Sequence, residues 1–241
     1  MQDERLFISD CHLDAGRPEI TDALTNFLQV RAAQASHLYI LGDLFEAWLG
    51  DDDPASAFAP VIDTLSRLAQ SCEIYFMAGN RDFLVGDDFA SRAGLTRLHE
   101  PHQLQLGDSR VMLLHGDSLC TDDHDYQAFR RVVREPQWQA EFLAKSLRDR
   151  QQIAAQLRRD SVAAMSMKAS EIMDVNEDAV ATLFEETRAD VIVHGHTHRP
   201  AVHAYPGNLS RIVLGDWVRD PSYLSWTEAQ GFRLNDPRVH Q

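Results

Sequence analysis

Leu6-Phe7-Ile8, Leu38-Tyr39-Ile40-Leu41 and Ile74-Tyr75-Phe76-Met77 are apolar at every position, and each run stops abruptly at a polar cluster. Unbroken apolar runs this short predict buried strands rather than strands with one wet face. Pro18 to Ala35 instead repeats its apolar residues at helical spacing (Ile20, Leu24, Phe27, Leu28), with Pro18 suited to a first turn. A second helix is predicted from about Phe58 to Leu68. Leu104-Gln105-Leu106 and Val111-Met112-Leu113-Leu114 flank Gly107-Asp108, which predicts a hairpin. Val191-Ile192-Val193, Ile212-Val213-Leu214 and the stretch from Tyr223 to Trp226 predict further strands. Strands alternating with helices make this an α/β chain.

The polar clusters share a position. Five of the predicted strands end in short loops that carry Asp10-x-His12, Gly42-Asp43, Gly79-Asn80, His115-Gly116 and His196-Thr197-His198. Ligand sites of open α/β sheets gather at such strand ends. Together the loops supply two carboxylates, one carboxamide and four imidazoles, about the number of donors that two adjacent cations sharing a carboxylate require. Mixed oxygen and nitrogen donors without thiolate suit Mn²⁺, Fe²⁺ or Zn²⁺ better than Ca²⁺. Two cations roughly 3.5–4 Å apart can activate water and clamp a phosphoryl oxygen. Taken singly, Asp-x-His is an ordinary surface loop and Gly-Asp an ordinary turn. Their joint occurrence after buried strands carries the reading.

Composition narrows the partners. The 241 residues are 44% hydrophobic and 25% charged, ordinary for a soluble globular chain, and no apolar run approaches a membrane span. The N-terminus lacks the basic flank and long apolar core of a signal peptide. Three widely spaced cysteines, Cys11, Cys72 and Cys120, predict free thiols in a reducing, cytoplasmic setting. A net charge of −14 argues against nucleic acid as partner. The stretch from His124 to Lys168 differs from its host: nine Lys and Arg against five Asp and Glu make it +4, so the rest carries −18. Its apolar residues fall in i,i+4 pairs: Phe129 with Val133, Trp138 with Phe142, Leu143 with Leu147 and Ile153 with Leu157. Such a basic amphipathic insert is either a packed helix with a solvated face, an apolar lid over acyl chains, or a surface that lies on anionic lipid.

The loop series resembles the calcineurin-like metallophosphoesterase superfamily, whose ordered motifs are D-x-H, G-D, G-N-x-D/E, an isolated H and G-H-x-H. The match runs from about Leu6 to His198. It implies an α/β sandwich of two β-sheets flanked by helices, with Asp10, His12, Asp43 and His198 on one metal. Asp43 (bridging), Asn80, His115 and His196 would hold the other. The third motif here reads Gly79-Asn80-Arg81-Asp82. Arg81 is a poor proton donor but suits phosphate, which points to a leaving group that needs no proton, such as a phosphomonoester with a second pKa near about 6. The alternative is a surface Arg81 ion-paired with Asp82.

Longer signatures narrow the family. Leu41 to Trp48 followed by Gly50-Asp51-Asp52, Gly79 to Leu84, His115 to Asp123, Ile172 to Asn176 and His194 to Pro200 are similar to the UDP-2,3-diacylglucosamine pyrophosphatases of the lipid A pathway. That resemblance implies hydrolysis of an acylated UDP-sugar with two Mn²⁺ ions per chain. Asp43, Asn80, Arg81, His115 and His196 would serve the reaction, and Asn80, Arg81, Asp123, Ser161, Lys168 and His196 would touch substrate, with Arg158 as a lid addition. Met165 stands where the compared members carry a polar residue, so a side-chain hydrogen bond is not carried over to it. The expected organisation is one domain over 1–241 with a helical lid insertion at about 122–170, a monomer peripheral to the cytoplasmic face of the inner membrane. Rival readings are a cyclic-nucleotide phosphodiesterase or soluble nucleotide-sugar hydrolase of the same fold, a protein phosphatase, a nuclease, and a non-catalytic scaffold.

Overall fold

Two sheets stack face to face, and every predicted site loop leaves the end of one of their strands. A computed structural model of the protein describes residues 3–165, 174–218 and 220–239, the side chains of 160 and 162–165 apart. The first sheet has the order β11(Gly231–Asn235), β10(Tyr223–Thr227), β1(Arg5–Ile8), β2(His37–Leu41), β3(Glu73–Met77), β4(Thr96–Leu98). Strands β1 to β4 are parallel; β10 and β11 extend the sheet antiparallel from β1. The second sheet runs β5(His102–Leu106), β6(Ser109–Leu113), β7(Val191–His194), β9(Leu209–Val213), β8(Ala201–Tyr205). The predicted hairpin is β5–β6, closed with Leu106 opposite Ser109 across Gly107-Asp108.

Side-chain alternation explains why the strands are apolar throughout. Phe7, Tyr39, Leu41 and Met77 point into the layer between the sheets, where they meet Val111, Leu113, Val193 and Ile212. Their neighbours Leu6, Ile8, Leu38, Ile40, Ile74 and Phe76 point the other way, onto Ile20, Leu24 and Leu28 of α1(Pro18–Val30) and Leu65 of α2(Ala59–Leu68). The short helix α3(Asp87–Ala93) adds Phe89 to that layer. Met112, Leu114 and Ile192 on the far face of the second sheet pack against Val180 and Phe184. With both faces of the central strands covered, alternation there does not show as wet and dry positions.

The described residues of the insert fold as three helices, α4(His124–Val133), α5(Pro136–Leu143) and α6(Leu147–Met165), and α7(Glu177–Thr187) then leads to β7. Pro136 starts α5, since its fixed φ suits a first turn and it has no amide hydrogen to lose there. The predicted Leu143–Leu147 pair is corrected: α5 ends at Leu143 and α6 begins at Leu147, so the two residues share no helix face. Trp138 and Phe142 do stack, ring centroids 5.1 Å apart, and join the helix-covered core.

Arg150 ties α6 to the body. It is 1% exposed, donates to the Leu49 carbonyl at 2.5 Å, and pairs with the Asp52 carboxylate at 2.7 Å. Gly50, at φ 126°, makes room for it, because a Cβ there would lie 2.4 Å from the guanidinium. Arg150→Met should therefore cost about 1–3 kcal/mol through the orphaned Leu49 carbonyl. Urea unfolding measures it, and an unchanged midpoint would show the anchor idle.

Candidate active site

The Asp10-x-His12 and Asp43 loops are laced together by their backbones. His12 N–H donates to the Asp43 carbonyl at 2.9 Å, Leu13 N–H to Leu44 at 2.9 Å, and Glu46 N–H back to Leu13 at 3.0 Å. Gly42 permits this crossing. It lies at φ 87°, and a Cβ would sit 2.6 Å from both Gly79 and the His115 ring. Asp10, His12, Asp43, His196 and His198 themselves all have positive φ, between 48° and 67°. Non-glycine residues in that region cost free energy and persist only where the surroundings over-determine them.

The strain gathers donors that start on distant strands. His12 and His198 present their Nε2 atoms 3.1 Å apart, with Asp10 Oδ1 at 3.3 Å from His198 and 3.8 Å from His12. On the other side, Asn80 Oδ1 lies 2.9 Å from His115 Nε2 and 3.0 Å from His196 Nδ1. Asp43 stands between the two groups: its Oδ2 is 3.8 Å from His12 Nε2 and 3.7 Å from His115 Nε2, while its Oδ1 accepts the Arg81 N–H at 2.8 Å. Two overlapping donor groups, Asp10–His12–His198 and Asp10–Asp43–His115, have the compactness of cation sites. Such crowding of lone pairs fits divalent cations better than it fits the bare side chains.

Neighbours fix the ring orientations. His115 Nδ1 donates to the Leu41 carbonyl at 2.9 Å, which leaves Nε2 free to ligate. Its own amide is held by Glu100 at 2.8 Å. Burial would lower the His115 pKa, but Asp43, Asp10, Asp117 and Glu100 outweigh it and push it up to about 9. The site attracts positive charge. Burial, helped by the neighbouring His115, pushes His196 down to about 4, which keeps that ring neutral and able to ligate.

Asp82 is corrected as the partner of Arg81. It is fully buried and accepts the backbone N–H groups of Leu44 at 2.7 Å and Gly79 at 2.8 Å, with Asp43 and Phe45 at longer range. It therefore joins the second and third ligand loops, and Arg81 is left to face the cavity. Asp123 caps α4 by accepting the Tyr126 N–H at 3.1 Å.

A cavity of about 780 Å³ opens over the donors, and His12, Asp43, Asn80, Arg81, His196 and His198 all line it. Asp123, Arg158 and Ser161 line it too, so the structure brings these predicted contacts together; Lys168 lies outside the described residues. Away from the donors the wall is Phe83, Phe129, Trp138, Phe142 and Leu157. Glu46, Glu100 and Asp117 escaped sequence reasoning as parts of the site. Glu46 alone left a signal, a carboxylate three residues after Asp43 between apolar neighbours.

Residues 5–200 match the model of the calcineurin-like phosphoesterase family. A UDP-2,3-diacylglucosamine hydrolase from Chromohalobacter salexigens is 47% identical, covering 88% of each chain, and one from Aromatoleum aromaticum is 49% identical, covering 93% of each. The chain belongs to the calcineurin-like phosphoesterases, in their UDP-2,3-diacylglucosamine hydrolase branch. Among solved structures, a dimetal phosphatase from Danio rerio shares the fold at 14% identity, with a TM-score of 0.54 over 94% of this chain and 93% of that one. The strand-end loops of β1, β2, β3, β6 and β7 carry the seven predicted donors; five of them line the cavity, and the fully buried Asp10 and His115 stand behind these, against His198 and Asn80.

Proposed function

We propose that this chain hydrolyses the pyrophosphate of UDP-2,3-diacylglucosamine to UMP and 2,3-diacylglucosamine 1-phosphate, using two Mn²⁺ ions and water that attacks the phosphorus next to uridine. The supporting observation is one cavity that joins a strained, mixed O/N donor cluster to a wall of aromatic and aliphatic side chains. Asp10, His12, Asp43 and His198 would hold one cation, and Asp43, Asn80, His115 and His196 the other. When bound, such ions lower the pKa of water and offset charge on the phosphoryl oxygens.

The chain's own groups orient the reactants. Arg81 and Arg158 project into the cavity and suit the diphosphate, and Arg remains charged throughout. Asp123 and Ser161 at the rim suit sugar hydroxyls or amide groups, with Lys168 as a further contact. Phe83, Trp138 and Phe142 form the wall on which acyl chains would lie, and α4–α6 act as the lid. The departing sugar 1-phosphate is stable as an anion, so no proton donor is needed at Arg81. Arg81→Ala is expected to reduce kcat/KM by roughly 10²-fold, about 2.7 kcal/mol of lost phosphate stabilisation; a loss below threefold would remove its role.

The deciding experiment measures UMP release from UDP-2,3-diacylglucosamine and from UDP-N-acetylglucosamine, each with Mn²⁺ and with chelator. Mn²⁺-dependent cleavage of the acylated substrate alone supports the whole reading. Equal turnover of both would return the chain to a soluble nucleotide-sugar hydrolase.

Among the described residues no helix is long and apolar enough to cross a membrane. Phe129, Val132 and Leu143 are nevertheless exposed on α4 and α5, in a stretch that also exposes Arg131, Lys145 and Arg148 together with Asp125, Glu135, Glu141 and Asp149. The exposed apolar residues, within a stretch whose total charge is +4, support the peripheral binding proposed for a cytoplasmic monomer at the anionic inner membrane. Co-sedimentation with anionic liposomes should decline as salt rises; no binding at any salt would exclude it.

A further inference from the structure

Glu46 belongs to no ligand motif, yet three parts of the site converge on its carboxylate. Oε2 lies 3.2 Å from Nδ1 of His12. Oε1 pairs with Arg158 of α6 and lies 4.0 Å from Nε of Arg81. The side chain is only 14% exposed, and its backbone is fixed by the Leu13–Phe45 bridge between the first two ligand loops. Its position is therefore set by the same backbone lacing that sets Asp10, His12 and Asp43.

We infer that Glu46 is the shared anchor of the active site, one oxygen orienting the metal-ligating His12 and the other holding Arg158, and with it α6, over the cavity. The carboxylate charge 3.2 Å from Nδ1 favours the proton on that nitrogen, the tautomer whose Nε2 lone pair faces Asp10, Asp43 and His198. Arg150 pins the beginning of α6 to Asp52, and Arg158 lies about two turns farther on, where Glu46 ties it back to the sheet loops. One carboxylate shared by two guanidinium groups leaves that cluster of three with a net positive charge toward an arriving diphosphate. Glu46 is thus a positioning residue that couples lid and metal loop.

The inference deepens the two-cation reading and rests on it through His12, whereas the hold on Arg158 is independent of any cation. Two substitutions separate its halves. Gln at this position keeps a carbonyl oxygen facing His12 Nδ1 but loses the charge that holds the arginine; Ala loses both. Glu46→Gln should bind Mn²⁺ within about twofold of the unsubstituted chain by calorimetry, yet show faster backbone hydrogen exchange across 150–161. Glu46→Ala should show the same faster exchange and a Mn²⁺ affinity lower by about 10–100-fold. Matching thermal unfolding midpoints establish that both variants fold. Unchanged Mn²⁺ affinity in Glu46→Ala, or unchanged exchange in Glu46→Gln, overturns the shared anchor while leaving the two-cation site standing. Failure of the unsubstituted chain to bind Mn²⁺ would instead overturn the two-cation reading and the His12 half with it; the exchange measurement still decides the Arg158 half.

Discussion

Asp43→Ala is expected to lower kcat for UMP release by on the order of 10³-fold, and Asp10→Ala by clearly less. Both carboxylates are buried, but their oxygens are differently engaged. Asp10 has Oδ2 taken by the Ser9 hydroxyl at 2.5 Å and by the His196 N–H at 3.0 Å, and its Oδ1 faces His198 and His12. Asp43 Oδ2 faces His12 of one group and His115 of the other at nearly equal distance. In the proposed two-cation site, losing Asp10 would chiefly remove a ligand of one cation, whereas losing Asp43 would remove a ligand of both. Charge stabilisation by such ions is worth several kcal/mol, and each 1.36 kcal/mol is tenfold in rate. The measurement is kcat at saturating Mn²⁺ for both variants, beside Asp43→Asn, which keeps the shape but not the charge. Equal losses for Asp43→Ala and Asp10→Ala would deny Asp43 its bridging position.

Removing divalent cations is expected to take UMP release to background and also to lower the unfolding temperature. The second effect does not depend on substrate identity. Five donor residues sit in left-handed backbone, and the carboxylates Asp10 and Asp43 share a buried space. Cations that bind only the folded chain stabilise it by mass action, about 2.7 kcal/mol for each site at a hundred times its Kd. For a chain of this size that is roughly 5–10 °C per site. A thermal scan with chelator and then with Mn²⁺ restored checks it. An unfolding temperature indifferent to both would mean that the donors hold no cation tightly, whatever the activity assay shows.

The element pattern reads well from the sequence where burial is two-sided. The predicted helix at 18–35 becomes α1 and a short 3₁₀ turn, and the strands at 6–8, 38–41, 74–77 and 191–193 lie within β1, β2, β3 and β7. Short or half-wet elements left little signal: α3 has seven residues, and β8 exposes most of its side chains. The insert's helical character was legible, but its division into three helices was not, since i,i+4 pairing continues across the break between Leu143 and Leu147.

The sequence by itself determined the donor chemistry, the order of the ligand loops and the substitution of Arg81 for a proton donor, because these are properties of residue type and of position after a buried strand. Only the tertiary structure decided which donors face one another. Asp43 reaches both groups because β2 lies between β1 and β3, while His115 and the two C-terminal imidazoles arrive from the second sheet. It also decided that Asp82 bonds to four backbone amides instead of to Arg81, and that Glu46 meets His12 and Arg158. Residue identity is written locally, but a carboxylate's partner depends on which strands are neighbours, and that is settled by how two sheets bury their faces against each other.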